Sequence, residues 1–238
     1  MRASTVRIAS VYPELLGTYG DTGNVRVLER RLRWRNIPVE IVSVPLSAKV
    51  PRSCDLYILG GGEDDAQSVA AKALRSSDLP DAANSGAVVF AVCAGLQILG
   101  HTFGTANGSV EPGLGLLDVT TTRLQKRAVG EVITAPNLPL GLPPITGFEN
   151  HGGATRLGVH AKPLAAVVTG TGNDEDSGQE GVVQGSLVAT YLHGPVLARN
   201  PALADLLLRM ALRTELPPLD DGVIEALRSV RLGLRQGF

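Results

Sequence analysis

Cys93 is the residue whose surroundings best suit chemistry. An apolar, β-branched run over residues 87–92 stops at this cysteine, and small residues and a helical pattern follow it directly. This order is typical of a strand–nucleophile–helix turn, which exposes the nucleophile at the carboxyl end of a strand. We expect the backbone amides of Ala94 and Gly95 to face the atom that the sulfur attacks, because helix N-termini favour negative charge. The alternative is a buried structural cysteine, since free cysteine is among the most buried residue types.

A thiol nucleophile needs a base that also protonates the leaving group, and histidine is the usual choice. The sequence offers four candidates, His101, His151, His160 and His193. His193 follows an apolar strand pattern over residues 187–192, and ligands of open α/β sheets bind at the carboxyl ends of the strands. His193 is therefore the first candidate for the base. His151, in a glycine-rich turn-like stretch, is the second, and His101 reads as a helix-capping residue.

Three consecutive glycines follow the short strand pattern of residues 56–59. Glycine lets a backbone approach a ligand closely. The stretch is not a phosphate loop of the G-x-x-x-x-G-K-[ST] kind, because no Lys-Ser or Lys-Thr pair follows it. We interpret Gly60-Gly61-Gly62 as an oxyanion-stabilising turn beside Cys93, and a flexible strand end is the alternative.

The elements that must position these residues read as an α/β fold. A strand over residues 6–11, a helix over 25–36 capped by Asn24 and a strand over 39–44 form a βαβ opening, which predicts a parallel sheet. Further helices are predicted over residues 66–79, 202–213 and 223–234, and shorter strands over 130–134 and 165–169. With 238 residues and 44% hydrophobic content, we predict one domain over residues 1–238. Its core covers about 6–215, and a helical tail covers about 216–238.

Composition argues against several classes of protein. The net charge of -1 and the 4% aromatic content show no nucleic-acid-binding surface. Cys54 and Cys93 form no metal-type pair, which argues against a structural zinc site. We expect no membrane insertion and a cytoplasmic location, because the sequence shows neither a long apolar run nor a signal-type start.

Four motifs together resemble a known family. They are the strand-Gly-Gly-Gly turn, Cys93-Ala94-Gly95-Leu96-Gln97, Gly147-Phe148-Glu149-Asn150-His151 and Tyr191-Leu192-His193-Gly194-Pro195. The set resembles the class I (triad-type) glutamine amidotransferases of the cobyric-acid-synthase-like branch. The opening stretch, residues 12–24, is similar to the glutaminase subunits of lipid II isoglutaminyl synthases. The resemblance covers about residues 6–215 and implies a flavodoxin-like α/β domain with a mostly parallel central sheet flanked by helices.

The resemblance implies a glutaminase mechanism. Cys93 attacks the side-chain carboxamide of L-glutamine, and His193 protonates the departing ammonia, which leaves a glutamyl thioester. Amides of Gly61, Gly62 and Ala94 hold the oxyanion, a type of contact worth roughly 3 kcal/mol per donor. Gln97 and Arg127 are carried over as substrate-binding residues, because a guanidinium binds a carboxylate bidentately.

One departure concerns the third member of the triad. Many triad amidotransferases have a glutamate two residues after the histidine, and that position here is Pro195. The resemblance implies that a partner supplies the carboxylate that orients His193. The isolated chain is then expected to be a poor glutaminase.

The implied partner is a Mur-ligase-like, ATP-dependent synthetase, in a heterodimer. ATP and Mg²⁺ belong to that subunit, and we expect no metal or other cofactor in this chain. Ammonia would amidate the D-glutamate α-carboxylate of lipid II, which the chain reaches through its partner, in peptidoglycan biosynthesis, cell wall biogenesis and cell shape. Two alternatives stay open: a glutaminase for cobyrinate- or cobyric-acid-type amidation, and a non-catalytic amidotransferase-fold interaction module.

Overall fold

A parallel βαβ unit opens the computed structural model, which describes residues 5–233. Strand β1 (Val6–Val11) and strand β2 (Val39–Val44) pair in parallel, and helix α1 (Gly23–Trp34) connects them. The helix begins and ends two residues earlier than predicted. Asn24 does not cap it; the Asn24 side chain instead accepts a hydrogen bond from the Leu197 amide at 3.0 Å.

The central sheet has six strands in the order β11-β12-β4-β3-β1-β2. The remaining strands are β3 (Leu56–Leu59), β4 (Val88–Val92), β11 (Val182–Gln184) and β12 (Leu187–Thr190). All neighbours are parallel except β11 and β12. The three strands β3, β4 and β12 are wholly buried, which explains their continuous apolar sequences. The predicted α/β fold with a mostly parallel central sheet is therefore confirmed.

Six further α-helices and one 3₁₀-helix (Leu138–Leu140) lie between residues 5 and 233. The α-helices are α2 (Asp64–Arg75), α3 (Leu79–Asn84), α4 (Ala94–Leu99), α5 (Val196–Arg199), α6 (Pro201–Leu212) and α7 (Gly222–Arg231). The single helix predicted over residues 66–79 is wrong at its end. A second helix, α3, starts at Leu79 because Pro80 fits the first turn of a helix but not its interior.

A second sheet of seven strands lies beyond α4. Its strands are β5 (Thr102–Gly104), β6 (Val110–Pro112), β7 (Val119–Thr134), β8 (Thr146–Leu157), β9 (Ala165–Thr169), β10 (Gln179–Glu180) and β13 (Leu192–His193). Most of its pairs are antiparallel, and β7 and β8 form a long hairpin with an irregularity between Arg123 and Ala128. The short strand predicted over residues 130–134 is the end of the 16-residue β7, whose charged residues obscure the alternation.

The strand predicted over residues 187–192 divides between the two sheets. β12 pairs with β4 in the central sheet, whereas β13 pairs with β8, with His193 opposite Phe148. Tyr191 lies between the two strands, and its amide donates to Glu180 Oε1 at 3.0 Å. His193 thus reaches the carboxyl edge of the central sheet as part of the second sheet.

Both ends of the chain carry predictions that lie outside the described residues. These are the start of the chain at residues 1–4 and the last residues of the predicted tail, 234–238. Within residues 5–233, no helix combines the length and the apolar character needed to cross a membrane.

Candidate active site

Cys93 lies in a strained turn between β4 and α4. Its backbone has φ 53 and ψ -106, a conformation that costs energy for any residue other than glycine. The Cys93 amide donates to the Thr190 carbonyl at 2.8 Å, which fixes the turn against β12. The cysteine is 8% exposed and lines a cleft. The structure therefore has the strand–cysteine–helix turn that the sequence predicts.

His193 and Asp21 form a buried pair beside this turn. His193 Nδ1 lies 2.9 Å from Asp21 Oδ2, and both side chains are almost fully buried. Asp21 Oδ2 also accepts the Gly61 amide at 2.8 Å. The position two residues after His193 holds Pro195, as the sequence shows, and Asp21 of this chain lies where a carboxylate would orient the imidazole.

Burial and charge act in opposite directions on His193. Burial lowers the pKa of the imidazole, but hydrogen bonding to Asp21 and the nearby Cys93 thiol outweigh it and raise the pKa to about 10. His193 Nε2 makes no hydrogen bond within residues 5–233. An imidazole with one unbonded nitrogen beside a thiol is the arrangement in which a histidine serves as the base for a cysteine nucleophile.

Some backbone amides near Cys93 already donate a hydrogen bond within the protein, and others do not. Within residues 5–233, the amides of Ala94 and Gly62 make no backbone hydrogen bond, so both remain available to an oxyanion. Two other amides that the sequence predicts as oxyanion donors already donate hydrogen bonds to other groups of the protein. The Gly61 amide donates to Asp21, and the Gly95 amide donates to the Gly60 carbonyl at 3.2 Å. The prediction of an oxyanion donor is thus wrong for Gly61 and Gly95.

Gly61 is nevertheless needed for the geometry. A Cβ atom at this position would lie 2.7 Å from His193 Cε1 and 3.4 Å from Cys93 Cβ. Contacts under 3.0 Å are essentially never seen for real Cβ atoms. The third glycine-turn residue, Gly62, lines the cleft itself. The triple glycine lets the histidine approach the turn, which is a packing role and not the flexible strand end considered as the alternative.

The cleft brings together most of the residues that the sequence singled out. It is lined by Tyr19, Gly62, Glu63, Asp64, Gln67, Cys93, Gln97, Gly104, Arg123, Arg127, Asn150, His151, Gly152, Gly153 and His193. Arg127 Nε donates to Asn150 Oδ1 at 2.6 Å, and Gln97 Oε1 accepts from Gln67 Nε2 at 3.0 Å. Both side chains are therefore held in the cleft wall. Cys54 lies away from this cleft, in a surface depression near α3.

The second candidate base, His151, has a different setting. Its ring stacks on Tyr191 with centroids 3.8 Å apart, and its Nδ1 lies 2.8 Å from the Gly153 carbonyl. Its Nε2 lies 3.6 Å from Glu149 Oε2. Burial alone would raise the pKa of Glu149, but the nearby His151 ring and hydrogen bonds from two backbone amides lower it. His151 therefore belongs to the cleft wall, whereas His193 carries the carboxylate on Nδ1.

The other two histidines do not line the cleft. His101 is exposed and lies 3.2 Å from Asp118 Oδ1, so it pairs with a carboxylate instead of capping α4 as predicted. Asp21 is the functional candidate that the sequence reasoning missed. It is 172 residues from His193, and its only sequence signal is its place in a glycine-rich turn.

Comparison with known proteins gives a consistent result. A model of the CobB/CobQ-like glutamine amidotransferase domain matches residues 7–201. The GatD subunit of lipid II isoglutaminyl synthase (glutamine-hydrolyzing) from Staphylococcus aureus is 35% identical over 199 residues, which cover 82% of this chain and 80% of that protein. The GatD subunit from Streptococcus pneumoniae is 35% identical over 213 residues, which cover 87% and 81%.

The solved structures agree on the fold. A glutamine amidotransferase from Thermotoga maritima superposes with a TM-score of 0.55 over 97% of this chain and 98% of that chain, at 17% identity. The geometry of the site, with a strained cysteine turn next to a buried histidine, fits the family whose model matches the chain. The chain belongs to the CobB/CobQ-like glutamine amidotransferase family, and it is an enzyme of that class, as its four motifs predict.

Proposed function

We propose that this chain hydrolyses L-glutamine to glutamate and ammonia with Cys93 as nucleophile and His193 as general acid and base. The observation that carries the proposal is a strained, cleft-lining cysteine next to a histidine whose far nitrogen is held by a buried carboxylate. This is the arrangement of nucleophile, base and orienting group that acyl transfer requires.

The first half-reaction forms a thioester. The Cys93 sulfur attacks the carboxamide carbon, and the Ala94 and Gly62 amides bind the resulting oxyanion. The carbon–nitrogen bond then breaks as His193 Nε2 gives its proton to the leaving nitrogen, which departs as ammonia. The products of this step are ammonia and a glutamyl thioester on Cys93.

The second half-reaction releases glutamate. His193 Nε2 removes a proton from water while the water oxygen attacks the thioester carbon. The carbon–sulfur bond breaks and Cys93 returns to the thiolate form, with His193 protonated. Asp21 accepts the hydrogen bond from His193 Nδ1, so that Nε2 faces the reaction.

Arg127 and Gln97 supply the substrate contacts in this proposal. The Arg127 guanidinium lines the cleft and is anchored to Asn150 through Nε and Nη2, which leaves Nη1 to meet the α-carboxylate of glutamine. Gln97 lies in the same wall, with its carbonyl oxygen already bonded to Gln67.

The proposed context is lipid II amidation. Two relatives that are 35% identical are named as GatD subunits of lipid II isoglutaminyl synthase. We propose the same place for this chain: a glutaminase subunit that passes ammonia to a Mur-ligase-like, ATP-dependent partner acting on the D-glutamate α-carboxylate of lipid II. The sequence contains no G-x-x-x-x-G-K-[ST] loop, which fits an ATP step on another polypeptide.

The experiment measures glutamate release from glutamine by the chain mixed with its synthetase. Cys93→Ala and His193→Ala should each abolish release, whereas Cys54→Ala should retain it. A glutamine-analogue electrophile such as 6-diazo-5-oxo-L-norleucine should label Cys93, as located by mass spectrometry. Full activity in either active-site variant, or labelling at Cys54, would refute the mechanism.

A pull-down from native lysate tests the context separately. Recovery of a Mur-ligase-like protein supports the lipid II assignment. Recovery of corrin-amidating enzymes instead favours the cobyrinate alternative, and the hydrolytic chemistry of Cys93 would stand in both cases.

A further inference from the structure

Tyr19 occupies a backbone position that suits tyrosine poorly. The chain turns sharply between Thr18 and Asp21, with φ 57 at Tyr19 and φ 80 at Gly20. Two successive positive φ values are typical of a type I′ turn, whose central residues are usually asparagine, aspartate or glycine. Gly20 satisfies that preference, but a bulky aromatic residue at the first position is an outlier. The sequence therefore keeps a side chain here at an energetic cost.

Burial of the ring does not explain this cost. Tyr19 is 43% exposed and lines the mouth of the cleft. The Tyr19 ring contacts the imidazole of His193. The ring centroids lie 4.9 Å apart and the planes meet at 67°, a T-shaped arrangement. Backbone strain that persists at a functional site points to a functional reason for it.

The same turn also carries Asp21. The Thr18 amide donates to the Gly61 carbonyl at 3.1 Å, and the Gly61 amide donates back to Asp21 Oδ2 at 2.8 Å. These two bonds fix the turn against the glycine stretch that lies under His193. The turn thus brings two groups to His193: the Asp21 carboxylate lies at Nδ1, and the Tyr19 ring lies against the imidazole.

We propose that Tyr19 is a positioning residue for His193. Its ring contacts the imidazole from the mouth of the cleft, limits rotation of the ring about the Asp21 bond and keeps bulk water away from it. Asp21 fixes one nitrogen of the imidazole, and Tyr19 restricts the plane of the ring. This inference rests on the proposed role of His193 and adds the group that holds it.

The decisive variant is Tyr19→Asn, which suits the turn better than tyrosine does but removes the ring. Its melting temperature should equal or exceed that of the wild type. Its kcat for glutamate release should nevertheless fall about tenfold with KM within about twofold, because small misplacements of a catalytic group are costly. Tyr19→Phe, which keeps the ring, should retain wild-type kcat. Trp34→Ala, at an exposed aromatic residue on α1, is the control for loss of a surface ring.

A second measurement does not need glutamine. In a Cys54→Ser background, iodoacetamide alkylates Cys93 at a rate that depends on the neighbouring imidazole. Tyr19→Asn should slow this alkylation several-fold, and Tyr19→Phe should not. If the wild type releases no glutamate, the proposed function fails, while the alkylation rates still test the Tyr19 contact.

Three results would overturn the proposal. The first is wild-type kcat together with wild-type alkylation in Tyr19→Asn. The second is an equal loss in Tyr19→Phe, which would assign the effect to the hydroxyl. The third is a lowered melting temperature in Tyr19→Asn that accounts for the loss, which would make the ring a folding element.

Discussion

At the scale of single residues, the site depends on which side chain holds His193 Nδ1. Asp21 does so at 2.9 Å while also accepting the Gly61 amide, so one carboxylate orients both the base and the glycine turn. A carboxylate in this place fixes the tautomer of the imidazole and stabilises its protonated form. The geometry leads to a prediction for Asp21, and the buried carboxylate of Glu180 leads to another.

Asp21→Asn should lower kcat for glutamate release by about 100-fold or more. An asparagine presents its NH₂ group to His193 Nδ1 and drives the proton to Nε2, which is the wrong nitrogen for a base. Steady-state glutamate release measures the effect, and circular dichroism checks that the fold is retained. Asp118→Asn, at a half-buried carboxylate that is paired with His101 outside the cleft, should keep wild-type kcat. A kcat for Asp21→Asn within threefold of the wild type would contradict the assignment.

Glu180 should make stability depend on pH. Burial, together with the charge of Glu149, raises its pKa from 4.5 to about 7. The folded state therefore binds this proton more tightly than the unfolded state, and the contribution of Glu180 to stability falls as pH rises from 4.5 through about 7. Glu180→Gln mimics the protonated form, so its melting temperature relative to the wild type should rise between pH 5 and pH 8. A constant difference over that range would contradict the shifted pKa.

At the scale of elements, the glycine turn after β3 leaves room for His193 to lie next to Cys93. A Cβ at Gly61 would clash with His193 Cε1, whereas a Cβ at Gly130 in β7 meets nothing within 4 Å. Gly61→Ala should therefore lower kcat by at least tenfold through a displaced imidazole. Gly130→Ala should leave kcat unchanged and stability equal or slightly higher. Equal kcat values for the two variants would show that the close approach has no catalytic role.

The elements differ in how far the sequence predicts them. The β4–Cys93–α4 turn is local: an apolar run, a cysteine and a helical pattern lie next to each other, and the prediction is confirmed. The 16-residue β7 is not predicted in full, because its charged positions hide the alternation and its pairing with β8 is set by tertiary structure.

Asp21 was missed for a related reason. The family motif places the orienting carboxylate close to the histidine along the chain, whereas the fold supplies one from the turn before α1. No periodic pattern marks such a residue, since its partner is brought near only by the tertiary fold. The free amides of Ala94 and Gly62 could be expected from the motif, but the use of the Gly61 amide by Asp21 could not.

At the scale of the whole molecule, Arg31 ties the end of the described chain to its beginning. Its guanidinium is buried and binds Asp205 of α6 and Asp221, the residue before α7, with contacts of 2.7 to 2.9 Å. Arg35 also binds Asp205, at 2.6 Å. The predicted tail is thus anchored to α1 at its start by a buried ion-pair cluster.

Arg31→Ala should destabilise the protein by about 3 kcal/mol, because it leaves largely buried carboxylates without their main cation. For a chain of this length the melting temperature should fall by roughly 6 to 12 °C, measured by calorimetry. Arg26→Ala, on the same helix with a side chain 78% exposed, should change the unfolding free energy by less than about 0.5 kcal/mol. Matching shifts for the two variants would contradict the role of the cluster.

The division of β12 from β13 has one more consequence. Cys93 follows strand β4 of the central sheet, whereas His193 lies in β13 of the second sheet. The sulfur and the imidazole are therefore held by different sheets. A small shift of one sheet against the other changes the distance between the Cys93 sulfur and the His193 imidazole, although both sheets stay folded. The rate of glutamine hydrolysis is therefore more sensitive to a relative displacement of the two sheets than the melting temperature is. Mild denaturant should abolish hydrolysis while both sheets remain folded.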